Sequence, residues 1–153
     1  MNFVIPATLQ QEHEALHEEL RRATQAGAEV GEAARDLARL MHPHFVKEDE
    51  IALPPLGLLP ALARAGASPG MAEVLALTDR LEAELPEMLR EHEAIVGALQ
   101  RLQQAAQRAD RPDIVAFARR LVQHARTEEE VMYPAAVLVG RYIRLQLDIE
   151  KQG

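Results

Sequence analysis

The sequence predicts an all-α protein, an antiparallel up-down-up-down four-helix bundle with a C-terminal helical extension. Three observations lead there. Ala, Leu, Arg and Glu, all good helix formers, dominate a composition with only 3% aromatic residues and no Trp. Four long segments carry apolar residues at alternating steps of three and four. The connections between them are short, which favours antiparallel neighbours.

The first segment opens at Thr8, where Thr8 and Gln11 have capping-box spacing, and its stripe runs Leu9, His13, Leu16, Leu20, Ala23. Gly27 and Gly31 bracket a turn. The second stripe is Val30, Ala34, Leu37, Met41, His44, Glu48, Ile51. Pro43 lies inside it, so a kink there or a late start near His42 is expected. Pro54 and Pro55 stop it, and residues 55–70 read as a connection with room for a short helical turn.

Ser68 followed by Pro69 marks the start of the third segment. Its stripe is Leu77, Leu81, Leu85, Met88, His92, Ile95, Leu99, Leu102, with Pro86 expected to bend it before His92. Asp110 and Asp113, around Pro112, signal the fourth helix, whose stripe is Ile114, Phe117, Leu121, His124, Glu128, Val131. After Pro134 an apolar helical tail is expected from Ala135 to about Leu147. At 153 residues the chain reads as one domain, with the bundle over about 8–134 and the extension over 135–153.

The formal charge of −7 comes from interspersed acidic and basic residues rather than a basic face, which argues against a nucleic-acid partner. With no cysteine, disulfides, thiolate zinc sites and iron–sulfur clusters are excluded as built-in features. No apolar run has the length of a membrane span, and Met1 to Pro6 does not read as a signal peptide, so a cytoplasmic protein is expected.

The second half of the chain replays the first. Glu12-His13-Glu14-Ala15-Leu16 returns as Glu91-His92-Glu93-Ala94-Ile95, and HFVKEDEIALP from His44 returns as HARTEEEVMYP from His124. The offsets are 79 and 80 residues (His13 to His92, His44 to His124). Two helix pairs related by a pseudo-twofold axis would converge on a common centre.

What converges there is polar. His13, His44, His92 and His124 each stand where packing would place Leu, and Glu48 and Glu128 do the same one turn beyond His44 and His124. Burying two uncompensated carboxylates costs on the order of several kcal/mol each, and a bound cation removes that cost. Four imidazoles and two bridging carboxylates supply about eight bonds of the roughly twelve that two six-coordinate ions need. That leaves room for an oxo or hydroxo bridge and exchangeable positions. Nitrogen and oxygen donors without thiolate suit Fe, Mn, Zn or Co.

The order His, then His-x-x-x-Glu, then His, then His-x-x-x-Glu resembles the hemerythrin-like (HHE cation-binding) domain, over roughly residues 8–134. The resemblance implies a four-helix bundle with a non-haem centre of two iron ions held by His13, His44, Glu48, His92, His124 and Glu128. Oxygen-carrying hemerythrins have a further histidine one turn after the third-helix ligand, where this chain has Val96. They also tend to have Asp one residue later on the last helix, where Glu128 is followed here by Glu129. The pattern is more similar to the branch linked to nitrosative stress and iron–sulfur repair.

His17, one turn after His13 and the repeat counterpart of Val96, is a candidate seventh metal ligand or else a surface histidine. His42 lies off the stripe and reads as surface or as standing behind a ligand. Asp49, Glu50, Glu129 and Glu130 read as a solvated acidic face, with Glu50 or Glu130 the candidates to stand behind a ligand. Tyr133 reads as packing; Tyr133, Glu130 and His17 are the candidates for a proton-relay or catalytic group. The ferritin-like Glu-x-x-His spacing occurs only at Glu14 to His17, which sets that class lower.

Three functions are therefore expected in order. The first is binding or sensing of a small molecule (O2, NO or peroxide) at a di-iron centre. The second is an enzyme acting on peroxide, or in iron-centre repair, at the same centre. The third is metal storage or a zinc-stabilised structural bundle, with the tail residues Val137, Leu138, Val139, Ile143 and Leu145 as a homodimer interface.

Overall fold

The computed structural model describes residues 2–149 and is all-helical, with no strand among the described residues. The four bundle helices are α1 (Ala7–Thr24), α2 (Ala28–Lys47), α4 (Leu75–Arg108) and α5 (Pro112–Thr127). A short α3 (Leu59–Ala65), flanked by 3₁₀ turns at Pro54–Leu58 and Pro69–Val74, forms the long connection, and α6 (Tyr133–Leu147) is the expected tail. Residues 150–153 of the expected extension lie outside the described residues.

Several local expectations are corrected. α1 starts at Ala7 after Pro6, and Thr8 caps nothing because it already lies inside the helix. There is no late start near His42: α2 begins at Ala28 and runs through Pro43, which sits exposed where its missing N–H costs one bond. Gly31 lies inside α2 rather than in the turn. Ser68 and Pro69 open the 3₁₀ turn, and the long helix follows only from Leu75 and continues through Pro86 to Arg108. At Pro112 the expected start is found, with Pro in the first turn and Asp113 close behind.

The sequence reading also missed two breaks in helical register. After α2 and after α5 the chain makes one π turn, Glu48–Ala52 and Glu128–Met132. The Leu53 amide donates to the Glu48 carbonyl at 3.0 Å, five residues back, and the Tyr133 amide does the same to Glu128. In an α-helix a residue five positions on points about 140° away. A five-residue turn brings Leu53 and Tyr133 back over Glu48 and Glu128.

The core has an apolar cluster on either side of a polar layer. One holds Leu16, Met41, Phe45, Ile95, Leu99 and Leu121; the other holds Ile51, Leu53, Met88, Met132 and Tyr133, with Leu9 against it. In each bundle helix the histidine falls between residues of the two clusters, as in Leu9, His13, Leu16 or Met88, His92, Ile95. The methionines Met41, Met88 and Met132 are core fillers as expected.

A third cluster seats α6 on the connection and on α4, through Val139, Ile143, Val74 and Leu62. Gly140 makes this approach possible, since a Cβ there would come within 2.7 Å of Thr78 Cβ. Arg144 clamps the same contact by donating two hydrogen bonds of 2.6 Å to Asp79. Val139 and Ile143 are therefore buried in their own chain, which removes them from the expected dimer surface.

Candidate metal centre

Each bundle helix brings one histidine to the polar layer, and the two π turns begin on the glutamates. All six side chains are at most 6% exposed. They form two donor groups whose ligand atoms lie within 4.8 Å of one another: His44, Glu48, His92 and Glu128, and His13, His124 and Glu128. Glu128 belongs to both. Its carboxylate lies 3.3 Å from His124 Nε2 and 3.5 Å from the Nε2 atoms of His13 and His92. Glu48 lies 3.1 Å from His44 Nε2 and belongs to one group only.

The donors fit a cation. Both carboxylate oxygens of Glu48 are buried without a hydrogen-bond partner, as is one oxygen of Glu128. His13 Nε2 and His124 Nε2 lie 3.1 Å apart, within hydrogen-bond distance when one of them carries the proton. Orphaned buried carboxylates of this kind are strongly unfavourable unless a positive charge sits between them. Without one, burial and the neighbouring Glu128 push the Glu48 carboxyl well above its usual range. Burial opposes ionisation of Glu128 too, yet Glu48 and the surrounding histidines hold its carboxyl well below that range. Burial, then His92, pushes His44 down to about 4, the neutral form that a metal ligand needs.

A family model of the hemerythrin HHE cation-binding domain matches residues 4–136. The chain belongs to that family. The match takes in both repeats and all six converging side chains of this hemerythrin domain. Comparison with curated proteins and with solved structures gives no match.

In this hemerythrin domain every inner histidine turns its other ring nitrogen, Nδ1, towards a carboxylate. Glu129 lies 2.9 Å from His92 Nδ1 and Glu12 lies 2.6 Å from His124 Nδ1. Asp49 faces His13 Nδ1, and Glu91 faces His44 Nδ1, each at 3.6 Å. The repeat relates these pairs: Glu12–His124 maps onto Glu91–His44, and Asp49–His13 onto Glu129–His92. The longer distances have local causes. Asp49 is one methylene shorter than Glu129, and Glu91 is drawn to Lys47 Nζ at 2.9 Å, where the other half has Thr127. At His92 and His124 the carboxylate is within hydrogen-bond distance and fixes the tautomer, so that the far nitrogen presents a lone pair to the centre; the Nδ1 atoms of His13 and His44 are buried without a hydrogen-bond partner.

The sequence reading named the wrong carboxylates for this role. Glu50 pairs with Arg80; Asp49 and Glu129, exposed like Glu50 and Glu130, stand with Glu12 and Glu91 behind the ligands. The usable signal was the repeat itself, which places an acid before the first histidine and after the glutamate in both halves. Glu130 lies exposed. His17 is not brought in. It stacks from the exposed side on Phe45 at 4.0 Å, and Phe45 in turn contacts the ring of His13 at 4.9 Å. Phe45 thus fills the space that ligation by His17 would need. His42 is on the surface, as expected.

Tyr133 is packed in the core and also stands beside the donor groups. It is 1% exposed, and its hydroxyl lies 3.1 Å from His92 Nε2 and 3.3 Å from His44 Nε2. Burial, with Glu48 and Glu128 nearby, raises its pKa far above the usual phenol value, so the hydroxyl keeps its proton.

Proposed function

We propose that this hemerythrin domain holds two iron ions between its helices and binds or senses a small molecule, O2, NO or peroxide, at that centre. The observation that carries the reading is the pair of buried donor groups joined at Glu128. His13, His44, His92 and His124 would hold the ions through imidazole nitrogens, Glu128 would serve both donor groups, and Glu48 would balance charge on the His44–His92 side. Bound iron supplies a one-electron couple and a Lewis-acid position for a small ligand. The protein's share is to hold His124 and His92 in one tautomer through Glu12 and Glu129, and to keep bulk water out with the two apolar clusters. An antiparallel up-down-up-down order belongs to the same reading. It is supported by paired ends: Lys47 with Glu91 and Glu29 with Arg108 join α2 to α4, and His124 with Glu12 and Arg120 with Glu19 join α5 to α1.

The buried Tyr133 hydroxyl favours a second reading, an enzyme acting on peroxide, because it places a protonated group beside two histidines. Iron analysis with an optical spectrum on protein produced in an iron-replete host tests the first proposal. About two irons per chain, with visible bands shifted by azide, are expected. A colourless protein carrying stoichiometric zinc would instead favour the structural-bundle reading. Peroxide turnover that is lost in Tyr133→Phe while iron is retained would move the assignment to the enzyme.

A further inference from the structure

We infer that a divalent metal ion enters and leaves the centre through the groove between α1 and α2, past Phe45, whose ring closes the way beneath His17. This rests on the reading that the inner donors bind a metal ion. The groove has a volume of about 420 Å³. Its floor is Leu20, Met41 and Phe45, each at most 5% exposed, and Glu14, His17, Glu18 and His42 stand on its rim. A single ring separates it from an inner ligand. His17 stacks on Phe45 from the groove side with ring centres 4.0 Å apart, and Phe45 meets the ring of His13 behind it at 4.9 Å.

Local structure lets that ring move. Phe45 lies in the last turn of α2, between Pro43 and the π turn Glu48–Ala52. Pro43 removes one bond from the helical ladder and the π turn re-spaces those that follow, so this turn is tied less regularly than the rest of the helix. The repeat shows that packing alone does not require the arrangement. Phe45 maps onto Ala125, His17 onto Val96 and Pro43 onto Gln123, so the other half carries its histidine and its π turn without the ring pair or the proline.

Charge at the mouth favours a cation. Glu14 and Glu18 share the groove with one guanidinium, that of Arg21, and Asp49 acts on His17 from nearby. The His17 and His42 imidazoles are nitrogen donors of the kind that replace water on a first-row divalent ion. A groove of the same volume lies between α1 and α5, but there Arg22, Arg111 and Arg120 outnumber Glu19 and Asp113. That side repels a cation.

Stopped-flow absorption on cobalt(II)-loaded protein tests this, first during release to excess chelator and then during reloading, with cobalt counted in the same samples. Phe45→Leu, and separately His17→Ala, are expected to raise both rates roughly tenfold with affinity within about twofold of wild type, because a door lowers the barrier and leaves the end states alone. His17→Ala, at the surface, carries the test should Phe45→Leu fold poorly. Phe117, buried to the same degree in the same cluster beneath the α1–α5 groove, controls for a loosened core. Phe117→Leu is expected to leave both rates near those of wild type. Rates unchanged in Phe45→Leu and His17→Ala, or raised as much in Phe117→Leu, would overturn the inference and leave the metal-binding reading standing. A roughly tenfold loss of affinity in His17→Ala would also overturn it, by making His17 a ligand of the bound ion. Wild type that takes up no cobalt would sink the metal-binding reading and the inference with it.

Discussion

Glu48 and Glu128 occupy equivalent positions in the repeat but do different work. Glu128 reaches both donor groups, while Glu48 reaches the His44–His92 group alone. Expected as a pair of bridges, the two carboxylates reach unequally across the cluster for a physical reason. Three histidines surround the Glu128 carboxylate within 3.5 Å, whereas Glu48 has only His44 as near. On the proposed two-metal reading, Glu128→Ala is expected to release both metals, and Glu48→Ala to release one, by metal analysis after gel filtration. Equal losses would contradict the asymmetry. His42→Ala, on the surface, should leave metal content unchanged.

Among the elements, the π turns matter most. Leucine-like periodicity in the sequence identifies the helices and the face that carries His and Glu, because a 3.6-residue repeat is visible in the residues themselves. A single five-residue turn leaves no such trace; it shifts everything after it by one residue. For that reason the sequence offered Tyr133 both as packing and as a proton-relay candidate without placing its hydroxyl, which lies 3.1 Å from His92 Nε2.

The tail shows the same limit. Its apolar residues promised a dimer surface, but α6 uses one face, with Val139 and Ile143, for its own core. The outer face keeps Ala135, Leu138, Tyr142 and Leu145 at steps of three, four and three, with Leu138 59% and Leu145 81% exposed, and α3 adds Leu59 beside them. The flanking Arg141 and Arg144 are paired with Glu82 and Asp79, so the seam itself presents no charge. A second copy of the same seam would meet it without like-charge repulsion, and heptad-like spacing suits helix-on-helix contact. The homodimer stands as a proposal on this narrower surface. Light scattering should find a dimer in the wild type and a monomer in Leu138→Glu; a monomeric wild type would rule it out.

At the scale of the whole molecule, a polar layer sits between two apolar ones, and folding closes it off from water. Chelation of the metal would leave Glu48 and part of Glu128 buried without partners. The expected cost is about 3 kcal/mol or more, equivalent to a fall in Tm on the order of 10 °C for a domain of this size. Thermal melts followed by circular dichroism would measure it. Glu48→Leu, which removes one orphaned carboxylate, should lose less on chelation than wild type. A melting temperature indifferent to chelation in wild type would mean that no cation stabilises the layer.

The amino-acid sequence by itself determined the helical class, the repeat and the six converging side chains, because both periodicity and misplaced polarity are local properties written along the chain. Only the tertiary structure decided which acids stand behind the histidines, that Phe45 keeps His17 out, and that Tyr133 faces inward where Leu53 is its counterpart. Those outcomes depend on distances between helices and on one extra residue in a turn. Neither quantity is carried by the order of residues within any single helix.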